Sequence, residues 1–215
     1  MMDLNHQINY WDSVAGQKKF THPFNAGKFR ELVSKDASIL DVGCGYGRVC
    51  QSLFESGYAH VVGIDMSSRM IREGLNRFPH LTMQCYRLDT MPFEENSFDV
   101  AILFAVLTCT PTDKGQLELI DSVLRALKPN GLIHVSDYFL QDDRRNRMRY
   151  DTYQRKYGVY GIFELDNGAV LRHHARPWIE TLFSPFHQIS ITEMNAPTMN
   201  GHLSTIFQYW GRKAV

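Results

Sequence analysis

The 215-residue sequence has no surplus of either charge: 23 Lys and Arg stand against 23 Asp and Glu, a formal net charge of +0. A whole-molecule attraction to nucleic acid or to an anionic membrane therefore has no basis in composition. No apolar run approaches the roughly 18 residues that span a bilayer. The opening residues, Met1-Met2-Asp3-Leu4-Asn5-His6, lack the charged and apolar blocks of a secretion signal. Cysteine is scarce: Cys44, Cys50, Cys85 and Cys109 show neither paired metal-ligand spacing nor the density of a disulfide scaffold. Internal repeats and low-complexity linkers are missing too. These absences predict a cytoplasmic chain, one domain over residues 1–215, with no membrane, nucleic-acid or metal partner.

Hydrophobic residues at 44% and charged residues at 21% are enough for a sizeable core. Residues 1–20 read as an N-terminal cap with Tyr10, Trp11 and Phe20 among polar residues, and a helix is predicted from near Pro23 to about Val33. Alternation follows. Ser38 to Val42, His60 to Asp65, Leu81 to Tyr86, Phe98 to Leu107 and Leu132 to Val135 read as strands. Between them lie predicted helices: one at about Gly47 to Ser56, one capped by Ser67 and stopped by Pro79, and one capped by Thr112. The last puts Leu117, Ile120, Val123, Leu124 and Leu127 on one face. Lys128-Pro129-Asn130-Gly131 reads as a turn in which Gly takes φ > 0. Beyond it come an arginine-rich helix at 141–157, a hairpin around Asp166-Asn167-Gly168, a helix from Pro177, and closing strands at Ile189 to Ile191 and Leu203 to Tyr209. The expected fold is α/β, Rossmann-like and doubly wound: a mostly parallel seven-stranded sheet with an antiparallel last strand.

Leu40-Asp41-Val42-Gly43-Cys44-Gly45-Tyr46-Gly47-Arg48 leaves a buried strand, turns on glycines and enters a helix. Such a loop sits at the carboxyl end of a sheet strand, where open α/β folds bind ligands. A nicotinamide site would carry Gly-x-Gly-x-x-Gly and set a diphosphate on the helix N-terminus. The spacing here is Gly-x-Gly-x-Gly, and Asp41 precedes the first glycine by two. A carboxylate there repels a diphosphate and attracts a ligand bearing an ammonium and a sulfonium. Asp65, closing Val61-Val62-Gly63-Ile64, is positioned to accept both hydroxyls of a ribose.

Together, Ile39 to Gly47, Gly63 to Ser67, Phe98 to Leu107 and Leu127 to Ser136 resemble the class I S-adenosylmethionine-dependent methyltransferase family over about residues 38–138. The resemblance implies S-adenosylmethionine as cofactor, with Asp41, Gly43, Cys44 and Gly45 lining its methionine end. It also implies Asp65 at the ribose, Met66 near the adenine and the main chain at Phe104 by the methionine amino group. The family's Asp-small pair at the adenine edge falls on Arg87-Leu88, with Asp89 two residues later; either Asp89 or the Leu88 main chain fills that role. Residues 1–33 become a cap, 139–175 an acceptor-side segment and 176–215 the closing elements.

The reaction expected is direct displacement of the methyl group onto a small-molecule acceptor. Acceptor-pocket candidates are Tyr10, Trp11, Phe20, Thr108 and Cys109, with Asp137 nearby. Tyr138, His173 and His174 are the catalytic candidates, and only one of two adjacent strand residues can face a pocket. Cys44 and Cys50 read as small buried side chains rather than nucleophiles. The run Arg144-Arg145-Asn146-Arg147-Met148-Arg149, flanked by Asp142, Asp143 and Asp151, reads as a solvated helix face, with steering of an acidic small molecule left open. Two alternatives stand beside the enzyme: a non-catalytic S-adenosylmethionine-binding or sensing module, and a nicotinamide-dependent oxidoreductase.

Overall fold

Alternate side chains of the central strands face opposite layers, and both layers are buried. A computed structural model describes residues 4–86 and 91–214. After helices α1 (Leu4–Val14) and α2 (Ala26–Leu32), strand β1 (Ile39–Val42) is buried along its whole length. Leu40 and Val42 pack into one core and Ile39 into another, so the sheet is covered on both faces. Asp41, in phase with Ile39, points to the face carrying helix α3 (Arg48–Glu55).

The chain continues through β2 (Val61–Asp65), α4 (Ser68–Arg77), β3 (Thr82–Cys85) and β4 (Phe98–Phe104). Ser67 caps α4 by accepting from the Met70 N–H at 3.0 Å. A 3-10 turn at Leu107–Cys109 leads into α5 (Asp113–Ala126), then β5 (Leu127–Tyr138) and α6 (Arg144–Tyr157). The hairpin β6 (Ile162–Glu164) and β7 (Val170–Arg172), then α7 (Arg176–Leu182), β8 (Phe186–Pro197) and β9 (Leu203–Lys213), complete the described chain.

The seven-stranded sheet runs β3-β2-β1-β4-β5-β9-β8. β1 to β5 are mutually parallel, and β9 runs antiparallel to both β5 and β8. Strand order reverses between β1 and β4, and a crevice opens at their carboxyl ends. Among the described residues no helix is long and apolar enough to cross a membrane.

Four local expectations are corrected. The helix expected from Pro23 starts at Ala26, because the Asn25 side chain accepts the Lys28 N–H at 3.0 Å and supplies the cap. β4 ends at Phe104 rather than Leu107, because Ala105 takes φ 57, a left-handed conformation no strand continues through. Leu117 is 48% exposed; Leu119 and Ala126 join the expected Ile120 and Val123 on the buried face of α5. The expected turn at 128–131 is a bulge within β5, where pairing with β4 jumps from Leu127 to Leu132, and Asn130 rather than Gly131 takes positive φ (64).

Candidate active site

Two glycines make the bend after β1 possible. Gly43 and Gly45 take φ 68 and 56. A Cβ on Gly43 would lie 2.6 Å from Val106 Cγ2, and one on Gly45 would run into the Phe20 ring. The end of β2 clasps this bend: Asp65 Oδ2 accepts the Gly45 N–H at 2.9 Å and Oδ1 accepts the Ser67 N–H at 2.8 Å. Burial raises the Asp65 pKa against those two backbone donors.

Asp41 is 2% exposed and accepts the Cys50 Sγ–H at 3.2 Å. Burial pushes its carboxyl up to about 7, opposed by the Cys50 hydrogen bond and the Arg48 charge. The Arg48 Nη2–H donates to the His22 carbonyl at 2.6 Å, yet Nε is buried without a partner. His22 is buried, its Nε2 is likewise unpartnered, and desolvation lowers its pKa to about 3.

These groups face one cavity of about 940 Å³, open mouth included. Its floor is the glycine loop, Asp65 and Met66, and its far wall is Phe104. The N-terminal segment roofs it. α1 is fixed to the start of α4 by Asp12, whose Oδ1 accepts from the Ser67 hydroxyl (2.6 Å) and the Arg69 N–H (3.2 Å). Phe20 then stacks on Tyr46 at 4.7 Å.

A second cavity of about 800 Å³, also open at its mouth, abuts the first. Trp11, Ala105, Cys109, Tyr138 and Met199 line both. The Tyr138 ring lies between His22 (edge-on, 4.7 Å) and His173 (stacked, 5.1 Å). Burial raises the Tyr138 phenol pKa, and burial followed by the Asp137 charge raises the Cys109 thiol. Both therefore stay protonated near neutral pH.

The two adjacent histidines part company, as strand alternation requires. His173 lines the second cavity and its Nδ1 lies 2.6 Å from the Tyr150 hydroxyl. That hydroxyl also accepts the Gln141 N–H at 3.2 Å, which leaves its own proton able to reach Nδ1. His174 is fully buried, lines neither cavity and has both nitrogens occupied: Nδ1 at 3.0 Å from the Tyr138 carbonyl, Nε2 at 2.9 Å from Gln116 Nε2. Desolvation drives both pKa values down to about 3.

Of the acceptor-side candidates, Tyr10, Trp11, Thr108 and Cys109 line the second cavity, while Phe20 lies against the glycine loop in the first. Asp137 turns away to accept the Thr108 N–H (3.1 Å) and Tyr138 N–H (2.8 Å). Arg87, Leu88 and Asp89 lie outside the described residues. The arginine run divides: Arg144 and Arg147 are exposed, whereas Arg145 and Arg149 reach the second cavity. Sequence reasoning missed His22, Arg48 and Ala105. Arg48, one residue past the last glycine, was within reach of the motif; nothing near His22 or Ala105 marks either residue.

Residues 39–131 match the methyltransferase domain family. A ubiquinone biosynthesis O-methyltransferase of Neisseria meningitidis is 27% identical over 139 residues, 59% of this chain and 56% of its own length. The chain spans about half the length of the curated relatives it matches. An S-adenosylmethionine-dependent methyltransferase structure from Methanosarcina mazei superposes with a TM-score of 0.83 at 23% identity, covering 90% of this chain and all (100%) of that one. The 1,6-didemethyltoxoflavin-N1-methyltransferase of Burkholderia thailandensis, solved with its substrate and S-adenosylhomocysteine, gives 0.63 at 15% identity, covering 97% of this chain and 79% of that one. Those two likenesses are of fold alone. With its strand order, carboxylate-flanked glycine loop and matched residues 39–131, the chain carries a methyltransferase domain and is similar in fold to S-adenosylmethionine-dependent methyltransferases.

Proposed function

We propose that the protein transfers the methyl group of S-adenosylmethionine to a small-molecule acceptor held in the second cavity. The observation that carries this reading is the wall shared by the two cavities, with Tyr138 and Cys109 in it. A donor and an acceptor on either side meet without a domain movement.

When bound, the cofactor supplies a methyl group activated on cationic sulfur. The residues of the first cavity suit a zwitterion with a sulfonium. Asp41 faces its positive groups and the unpartnered Arg48 Nε its carboxylate. Asp65, held by two backbone donors, keeps lone pairs for the ribose, and Met66 packs toward the adenine. A diphosphate would sit beside two carboxylates, which disfavours a nicotinamide. Tyr138 and the His173 ring orient the acceptor so that its attacking atom lies in line with the methyl carbon. The unpartnered His22 Nε2 can accept a hydrogen bond beside Tyr138, but with its pKa lowered to about 3 it is too weak a base to hold a proton from the acceptor. Cytoplasmic residence belongs to the same reading: all four cysteines are free, as a reducing compartment keeps them.

One observation favours the second reading, a module that binds the cofactor without transfer. His174 has no free nitrogen, and Tyr138 and Cys109 are held protonated. Turnover of methyl-labelled S-adenosylmethionine against a panel of metabolites separates the two. Label transferred to a small molecule is the expected result. Tight calorimetric binding of S-adenosylhomocysteine with no transfer to any acceptor supports the module, and NAD binding with S-adenosylhomocysteine indifferent removes both.

A further inference from the structure

The second cavity has a polarity of its own. Arg145, Arg149 and Lys18 reach its wall, and among the described residues no Asp or Glu lines it. Arg145 and Arg149 are one helical turn apart on α6, where like charges repel. That repulsion, after desolvation, lowers the Arg149 pKa. Among the described residues neither guanidinium is hydrogen-bonded to a carboxylate, although the Asp143 and Asp166 charges partly offset the repulsion at Arg149. Arg145 Nε stands 3.9 Å from Asp143 Oδ1, but that carboxylate is engaged in capping α6 through the Asn146 N–H (3.1 Å) and Nδ2 (2.5 Å). Arg149 lies over the Phe163 ring at 5.3 Å.

Two buried polar atoms in the same wall also lack hydrogen-bond partners: Arg145 Nη1 and Asn146 Oδ1. Asn146 is only 1% exposed, so its orphaned oxygen costs stability unless a ligand donates to it. The Tyr138 and His173 rings, stacked at 5.1 Å, line the same wall. The wall therefore offers paired cations, one acceptor beside them and flat aromatic surface.

We propose that the acceptor is an anionic, aromatic small molecule whose carboxylate or phosphate is held between Arg145 and Arg149. A hydroxyl or amino group on it donates to Asn146 Oδ1, and its ring packs against Tyr138 and His173. This rests on the methyl-transfer reading for the role of the cavity, and it adds the chemical class of the acceptor. Charge-assisted bonds to guanidinium are the stronger kind. They also discriminate, because a neutral analogue offers the two partly buried guanidinium groups no counter-charge.

The test uses the full chain saturated with S-adenosylhomocysteine. Aromatic carboxylates and phenyl phosphates are titrated against their neutral amide and ester counterparts, with binding read by ligand-observed NMR and thermal shift at matched ionic strength. Acids binding at least about tenfold more tightly than their neutral partners, with that preference lost in Arg149→Gln and Arg145→Gln, is the expected result. In the absence of an anion, Arg149→Gln is expected to melt no lower than the parent, since it relieves an unpaired charge. Lys at either position keeps the charge and should restore part of the preference. Neutral partners binding as well as the acids, acids unaffected by both Gln variants, or no acid binding at all would each overturn the assignment. Calorimetry with S-adenosylhomocysteine keeps the readings apart: cofactor binding intact with no acid preference sinks this inference alone, while failure of the wild type to bind the cofactor sinks the proposed function.

Discussion

The two cavities share a wall and carry opposite charge. Among the described residues, the first holds two carboxylates, Asp41 and Asp65, against one cation, Arg48, and the second holds Lys18, Arg145 and Arg149 and no carboxylate. Their origins differ as well. The first grows from strand ends and a glycine bend, where backbone geometry sets the position of each group. The second is assembled from α1 and, far from it in sequence, the bulge-free end of β5, α6 and the β6–β7 hairpin. On the proposed reading, a cationic cofactor and an anionic acceptor sorted in this way would also attract one another across the wall.

The largest effect that tests this contrast is at Asp65. Its carboxylate holds both the glycine loop and the start of α4, so Asp65→Ala removes a ligand contact and the clasp together. Affinity for S-adenosylhomocysteine should fall at least about tenfold, because a hydrogen bond to a charged group contributes roughly 1.5–3 kcal/mol. Circular dichroism checks that the variant is folded. Unchanged calorimetric affinity in a folded variant would remove Asp65 from the site.

Asp41 sets the next effect, through pH. Its carboxyl ionises at about 7 in the ligand-free protein, and a cationic ligand favours the ionised form. Binding therefore releases a proton, and affinity for S-adenosylmethionine should rise with pH, weakening by about tenfold per unit below 7. Stability of the ligand-free protein runs the other way. Above the ordinary carboxylate range and below 7, the folded state holds a proton the unfolded chain has lost, so stability falls as pH rises through that window; Asp137, also raised to about 7, adds to the slope. Calorimetry in buffers of different ionisation enthalpy counts the proton. A pH-independent affinity between 5.5 and 8, roughly the window these shifts define, would contradict the assignment.

The same contrast separates what the sequence could reveal from what it could not. Asp41, Gly43, Gly45 and Asp65 were legible because a strand followed by glycines constrains the backbone locally, and the parallel order followed from the β-α alternation. The hairpin at Asp166-Asn167-Gly168 was legible for the same reason: Gly168 takes φ 87 there. Arg145 and Arg149 were visible only as part of a basic run, since their place in the cavity wall depends on how α6 docks against β6. His22 reaches the first cavity because the cap folds back over the sheet, a long-range event that no local pattern encodes. His174 looked as promising as His173, and only the register of β7's end with Tyr138 decided between them.

The smallest effect concerns Ala105, in the wall between the cavities. Its φ of 57 is a conformation that costs a residue with a Cβ about 1–2 kcal/mol, and the Ala105 N–H is tied to the Ser136 carbonyl at 2.8 Å, which leaves little freedom to relax. Backbone strain of this kind gathers at functional sites. Here it ends β4 and turns the chain so that Cys109 and Thr108 reach the acceptor side. Ala105→Gly relieves the strain but adds conformational freedom to the unfolded chain, so the net gain should be below about 1 kcal/mol. For a chain of this size that corresponds to a rise in Tm of at most about 2–4 °C. A fall in Tm would mean that the methyl group's contacts with the two cavities outweigh the strain, making Ala105 a packing element of the shared wall rather than only its pivot.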